Sequence, residues 1–129
     1  MRRVVTFGTF DVFHVGHLNI LERAAQLGDH LIVGVSTDAL NYSKKQRNPV
    51  YDQDERIRII RALRCVDDAF FEESLEEKAQ YIQQHRADIL VMGDDWQGRF
   101  DSLGTICEVV YLTRTPSVST TAVIEKIRG

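Results

Sequence analysis

Short apolar runs and stretches of helical periodicity alternate along the whole chain. Val4-Val5-Thr6-Phe7 is β-branched and aromatic and stops at Gly8, which predicts a buried strand. From His17 to Leu27 the apolar residues Leu18, Leu21, Ala24, Ala25 and Leu27 recur at helical spacing, and Gly28 suits the C′ position. His30 to Val35 reads as a second buried strand. Strand, helix and strand in this order make a βαβ unit, hence a parallel pair joined by a right-handed crossover.

Asn41 to Val50 is polar and basic, contains Asn48-Pro49, and reads as a loop. A helix follows, opened by a capping box of Asp52 and Glu55 and striped by Ile57, Ile60 and Leu63. Ala69 to Phe71 is a short strand. Ser74 and Glu77 form a second capping box, opening a helix with Leu75, Ala79 and Ile82 on one side. Ile89 to Met92, ending at Gly93, and Val109 to Leu112 complete the strands, and a last helix runs from about Thr121 to Ile127. The expected fold is α/β: a single domain over residues 1–129, doubly wound around a parallel five-stranded sheet covered on both faces. Ligands in such folds bind beyond the carboxyl ends of the strands. The residues to read for chemistry are therefore those from Gly8 to His17, Ser36 to Asp38, Gly93 to Trp96 and Thr113 to Thr121.

Composition narrows the class. A chain of 129 residues with 43% hydrophobic content can bury a core without disulfides or metal. The net charge of −3 argues against a nucleic-acid partner but leaves room for a local basic pocket. Cys65 and Cys107 stand apart, as in a reduced cytosolic protein. There is neither a signal-peptide pattern nor an apolar run near the roughly 20 residues that span a bilayer, so a cytoplasmic protein without a membrane partner is expected.

Gly8-Thr9-Phe10-Asp11-Val12-Phe13-His14-Val15-Gly16-His17 joins the first strand to the first helix. Helix N-termini carry unpaired N–H groups and about half a positive charge, so they attract phosphate. His14 and His17 share one side of a helical turn, and Gly16 lets a ligand approach the backbone. The result is a donor cluster suited to phosphoryl oxygens. A zinc site would need further ligands, and the remaining histidines, His30 and His85, fall at a strand start and a helix end. Near the other terminus Arg114 offers a planar fork of donors, and Ser119, Thr120 and Thr121 bring hydroxyls to a second helix start.

Gly8-Thr9-Phe10-Asp11 followed by His14-x-Gly16-His17 resembles the signature of the HxGH nucleotidyltransferase superfamily. The run from Leu21 to Asp29, Ser36-Thr37-Asp38, Met92-Gly93-Asp94-Asp95-Trp96, and Arg114-Thr115 with Ser119-Thr120-Thr121 extend the likeness over nearly the whole chain. Within the superfamily the chain is similar to the cytidylyltransferases, and among them to the branch whose acceptor is glycerol 3-phosphate. The resemblance implies a Rossmann-like domain, CTP and glycerol 3-phosphate as substrates, Mg²⁺ arriving with CTP, and a homodimer. It implies His14, His17, Lys45 and Arg114 as catalytic residues. It places Thr9, Phe10, Asp11, Gly16, Gly93, Asp95, Thr115, Ser119, Thr120 and Thr121 with them around the nucleotide. Asp95, with Asp94 second, would accept from the cytosine amino group. Asp11 would meet Mg²⁺ only through water, leaving no direct metal ligand.

Lys45-Gln46-Arg47 resembles the family's Lys-x-Lys segment, with one extra residue that makes Lys44 an equal candidate for the first position. Arg47, Arg56, Arg64 and Lys78 are implied on the acceptor side. Pro116-Ser117 departs from the family pattern, which has glycine where Ser117 stands. Rival readings are a sister enzyme using ethanolamine phosphate, choline phosphate, a sugar phosphate or ATP, and a non-catalytic nucleotide-binding module. A phospho-receiver domain fits less well. It would carry an acidic pair after strand one and a lysine after the last strand, where this chain has Thr9 with Asp11 and Thr113-Arg114.

Overall fold

In the computed structural model, which describes residues 1–115 and 119–129, every strand is followed by helical structure. The chain runs β1 (Arg3–Gly8), α1 (Val15–Ala25), β2 (His30–Ser36), α2 (Asp38–Lys45), α3 (Gln53–Ala62), β3 (Asp68–Glu72), α4 (Lys78–Gln84), β4 (Ile89–Gly93), β5 (Glu108–Leu112) and α5 (Thr120–Arg128). Two 3₁₀ turns, Asp94–Trp96 and Asp101–Thr105, lie between β4 and β5. All strand pairs are parallel, in the order β3-β2-β1-β4-β5. Strand order reverses at β1, so the crevice beyond β1 and β4 is the switch point where such sheets bind ligands.

Alternate strand residues serve opposite faces. Val4, Leu31, Val33 and Ile89 pack with Leu21 and Ala24 of α1 and Ile57 and Ile60 of α3. Val5, Phe7, Ile32, Leu90 and Met92 pack with Ile82 of α4, and Trp96 and Phe100 close that face.

Four local expectations are corrected. The first half of the stretch expected to be a loop, Asn41 to Lys45, is helical. Thr37 Oγ1 accepts from Leu40 N at 3.1 Å, and α2 continues to a left-handed Gln46 with φ 58°. Its face lacks an apolar stripe because the residue it buries is Asn41. Gly28 is not the left-handed cap of α1, which ends at Ala25 with Gln26 as its cap. It is glycine because a Cβ there would stand 2.6 Å from the Arg2 carbonyl oxygen. Ser74 does not cap α4; its hydroxyl accepts from Glu76 N in the preceding turn, so Leu75 precedes the helix. Finally, α1 begins at Val15, which makes His14 its N-cap.

Candidate active site

Two residues of the turn after β1, Phe10 (φ 55°) and Val12 (φ 47°), have left-handed backbones. Such residues cost about 1–3 kcal/mol each unless the surroundings over-determine them. Here they do. Asp11 Oδ1 accepts from Val12 N and from Tyr51 N, and Oδ2 from Val50 N at 2.7 Å. The Asp11 carbonyl accepts from the Thr120 hydroxyl at 2.9 Å, which docks the start of α5 on the turn. Phe10 and Val12 are themselves buried. Three backbone amides thus take most of the acceptor capacity of the Asp11 carboxylate. Among the described residues no group of three or more His, Cys, Asp or Glu could hold a metal ion.

The histidines are oriented by the same backbone. His14 Nδ1 accepts from Gly16 N at 3.0 Å, and His17 Nδ1 accepts from His14 N at 3.2 Å. This is a reciprocal cap built from imidazoles. The rings stack 3.8 Å apart, with Phe10 and Phe13 against His17. Because each Nδ1 accepts, the proton of each neutral ring sits on Nε2. His14 Nε2 is buried without a partner among the described residues. Burial lowers the His14 pKa, and the positive charge of Arg114 lowers it further. Burial, then His14, then Arg114 bring His17 down to about 3. At neutral pH the pair is uncharged and presents fixed N–H donors.

The opposite wall comes from β4, β5 and α5. Arg114 pairs with Asp95 at 3.5 Å. Gly93 stands beneath them, where a Cβ would lie 2.6 Å from Asp95 Oδ1. Asn19 Nδ2 donates to Thr115 Oγ1 at 3.0 Å and Arg23 Nη1 to the Thr113 carbonyl at 2.6 Å, so α1 fixes the segment that carries Arg114. Ser119 caps α5 by accepting from Ala122 N at 3.0 Å.

On the other flank three side chains close a ring. Asn41 Nδ2 donates to Ser36 Oγ at 2.9 Å, Ser36 Oγ to Thr9 Oγ1 at 3.1 Å, and Thr9 Oγ1 to Asn41 Oδ1 at 2.9 Å. The ring ties α2 to the ends of β1 and β2. Beside it Arg56, fully buried, donates to the carbonyls of Tyr51, Thr9 and Ser36 and pairs with Asp38 at 2.7 Å. Lys78 is buried against Glu72, and the Lys44 charge lowers the Lys78 pKa beyond the larger effect of burial. Lys45 and Arg47 are exposed.

Residues 5–126 match a family model described as cytidylyltransferase-like. The chain belongs to the cytidylyltransferase-like family. It is 48% identical over 129 residues to a glycerol-3-phosphate cytidylyltransferase of Bacillus subtilis (strain 168), covering 100% of this chain and 99% of the relative. It is 40% identical over 129 residues to a protein of the same name from Staphylococcus aureus (strain NCTC 8325 / PS 47), covering 100% and 97%. Among solved structures, a lipopolysaccharide core biosynthesis protein from Thermoplasma volcanium GSS1 aligns with a TM-score of 0.76 at 26% identity, covering 89% of this chain and 98% of that one.

In this cytidylyltransferase-like chain the switch-point crevice brings together His14, Gly16, His17, Gly93, Asp95, Arg114, Thr115, Ser119 and Thr120 from the expected set. Thr121 lies exposed on the first turn of α5, and the Pro116-Ser117 departure falls outside the described residues. The Thr9 and Thr120 hydroxyl protons are given to Asn41 and to the Asp11 carbonyl, and the Phe10 side chain is core. Two expectations on the acceptor side are corrected. Arg56 is a structural clamp, its guanidinium turned inward. Arg64 lies on the turn between α3 and β3, at the amino end of the sheet, away from the histidines. The sequence reading missed Asn41 and Glu72, and it marked Ser36 only as part of the Ser36-to-Asp38 segment, with no role. Ser36 and Asn41 had a usable signal, since Ser36 ends a strand and Asn41 lies one helical turn after the Thr37 cap. Glu72 had none, standing in an acid-rich run.

Proposed function

We propose that this chain transfers a cytidylyl group from CTP to glycerol 3-phosphate, giving CDP-glycerol and pyrophosphate. One observation carries the reading. The uncharged, stacked pair His14–His17 shares its crevice with the Arg114 guanidinium, in a chain similar over its full length to glycerol-3-phosphate cytidylyltransferases.

A phosphomonoester has a second pKa of about 6, so the acceptor oxygen is already ionised at neutral pH and needs no general base. That oxygen attacks the α-phosphorus in line. The new P–O bond forms as the bond from the α-phosphorus to the bridging oxygen breaks, and the electron pair leaves with pyrophosphate. The protein's task is positioning and stabilising negative charge. The Nε2–H groups of His14 and His17 donate to phosphate oxygens, and Arg114 adds its charge. Asp95 exchanges Arg114 for the cytosine amino group as the nucleotide enters. Lys44, Lys45 and Arg47 serve the acceptor side. Mg²⁺ would arrive with the triphosphate and would offset part of its negative charge. A two-fold homodimer is the proposed assembly, to be checked by light scattering.

The test incubates the protein with CTP or ATP, Mg²⁺ and a panel of glycerol 3-phosphate, ethanolamine phosphate, choline phosphate and sugar phosphates, with products identified by mass. CDP-glycerol is expected. A different product moves the chain to a sister activity, and CTP bound but not consumed reduces it to a binding module. His14→Ala should lower kcat by about 10²–10³-fold, the usual loss for one transition-state donor. Turnover close to wild type would remove the pair from the mechanism.

A further inference from the structure

On the β3 side of the crevice lies an ion pair that the histidine chemistry leaves unused. Glu72, the last residue of β3, and Lys78, the first of α4, meet at 2.5 Å with side chains 3% and 4% exposed. The ammonium also stands 3.8 Å from the Phe7 ring centroid and 5.2 Å from that of Phe100. Lys44, near the end of α2, is electrostatically coupled to the pair: burial lowers its pKa, the Glu72 charge opposes that, and the Lys44 charge in turn lowers the pKa of Lys78. Among the charges that act on this buried lysine, two ammoniums and one carboxylate leave a positive surplus, while Glu73, Glu76 and Glu77 are exposed to solvent. A buried ion pair stabilises a fold little better than apolar residues of the same volume. Stability alone therefore does not account for a lysine sealed at this place, whereas a surplus cation there suits a phosphate dianion.

We propose that Glu72 is a positioning residue for the acceptor: its carboxylate fixes the Lys78 ammonium, so that Lys78 and Lys44 present one oriented positive field to the incoming phosphomonoester. This rests on the function proposed above. Lys78 is squeezed by opposing influences. Burial lowers its pKa, Glu72 raises it by charge and hydrogen bond, and Lys44 lowers it. Without the carboxylate, burial and Lys44 act unopposed, and the ammonium sheds its proton more readily or swings away from the rings.

The experiment is steady-state pyrophosphate release with CTP and glycerol 3-phosphate for wild type, E72Q, K78M and the double variant. E72Q should raise the acceptor KM about tenfold or more, with the CTP KM within about twofold of wild type. Between about pH 7 and pH 9 its acceptor KM should climb more steeply than that of wild type, because the unpaired buried ammonium deprotonates. K78M should raise the acceptor KM without that added pH dependence, and the double variant should be no worse than K78M. If E72Q does not fold, E72D keeps the charge one methylene short and should give an acceptor KM between wild type and K78M.

A wild-type acceptor KM in E72Q, equal rises for CTP and acceptor, or a rise with the wild-type pH slope would each overturn the proposal. Wild-type turnover of glycerol 3-phosphate tests the proposed function separately. If another phosphorylated alcohol is the acceptor, the same ratios are read on that compound, and turnover of none overturns both.

Discussion

On the β5 side of the crevice Arg114 and Asp95 stand 3.5 Å apart, each side chain about half exposed (51% and 49%), whereas on the β3 side Lys78 and Glu72 meet at 2.5 Å, almost sealed from water. Exposed ion pairs contribute about 0–1 kcal/mol and part easily when each member finds a better partner. Separating a buried pair strands a charge in a low-dielectric interior. The nucleotide flank can therefore exchange partners as a ligand enters, while the acceptor flank is assembled in advance. The neutral histidines sit between the two, held by backbone through their Nδ1 atoms.

This contrast can be broken in four ways. The largest effect should come from Glu72→Leu, which leaves Lys78 buried without a counter-charge and should cost about 3–5 kcal/mol in urea unfolding. Glu72→Leu with Lys78→Met should recover most of it. A double variant as unstable as the single would show that the pair is not the sealed unit described here.

Next comes acid. His17 stays uncharged in the folded protein down to about pH 3, against an ordinary value of 6.5. Below about pH 6.5 the unfolded chain therefore binds a proton that the folded one does not. Stability is whole above that point and falls toward pH 3 by up to about 1.4 kcal/mol per pH unit. His17→Ala should flatten the decline in thermal melts, and parallel curves for the two proteins would refute the assignment.

The ring that ties α2 to the histidine turn is a smaller matter. Thr9→Val breaks it and should cost about 1 kcal/mol, with Thr9→Ser near wild type in the same unfolding measurement. Smallest in stability is Asp95→Ala, within about 1 kcal/mol of wild type. Its effect should appear instead as a raised CTP KM and weaker preference for CTP over ATP. A large loss of stability there would make the two flanks alike.

The sheet was legible because its strands are nearly continuous apolar runs, as strands covered on both faces must be. The histidine turn was legible because its residues lie together in sequence. What escaped were features set by distant parts of the chain. Arg56 and Lys78 look like surface charges on helices until the fold buries them, and no local pattern tells an inward guanidinium from a solvated one. Helix α2 escaped because it is fastened by Asn41 and Thr37 rather than by an apolar stripe. Gly28 was assigned to a helix cap when its real constraint is the Arg2 carbonyl, brought close only by the parallel pairing of β1 and β2.

The Asn41–Ser36–Thr9 ring consists of uncharged groups, so mobile ions have nothing in it to screen. The cationic side chains of Lys45 and Arg47 beside it are exposed to them. Ionic strength should therefore separate anchorage from grip: added salt weakens the hold of the lysines on a phosphorylated ligand while the helix that bears them stays moored.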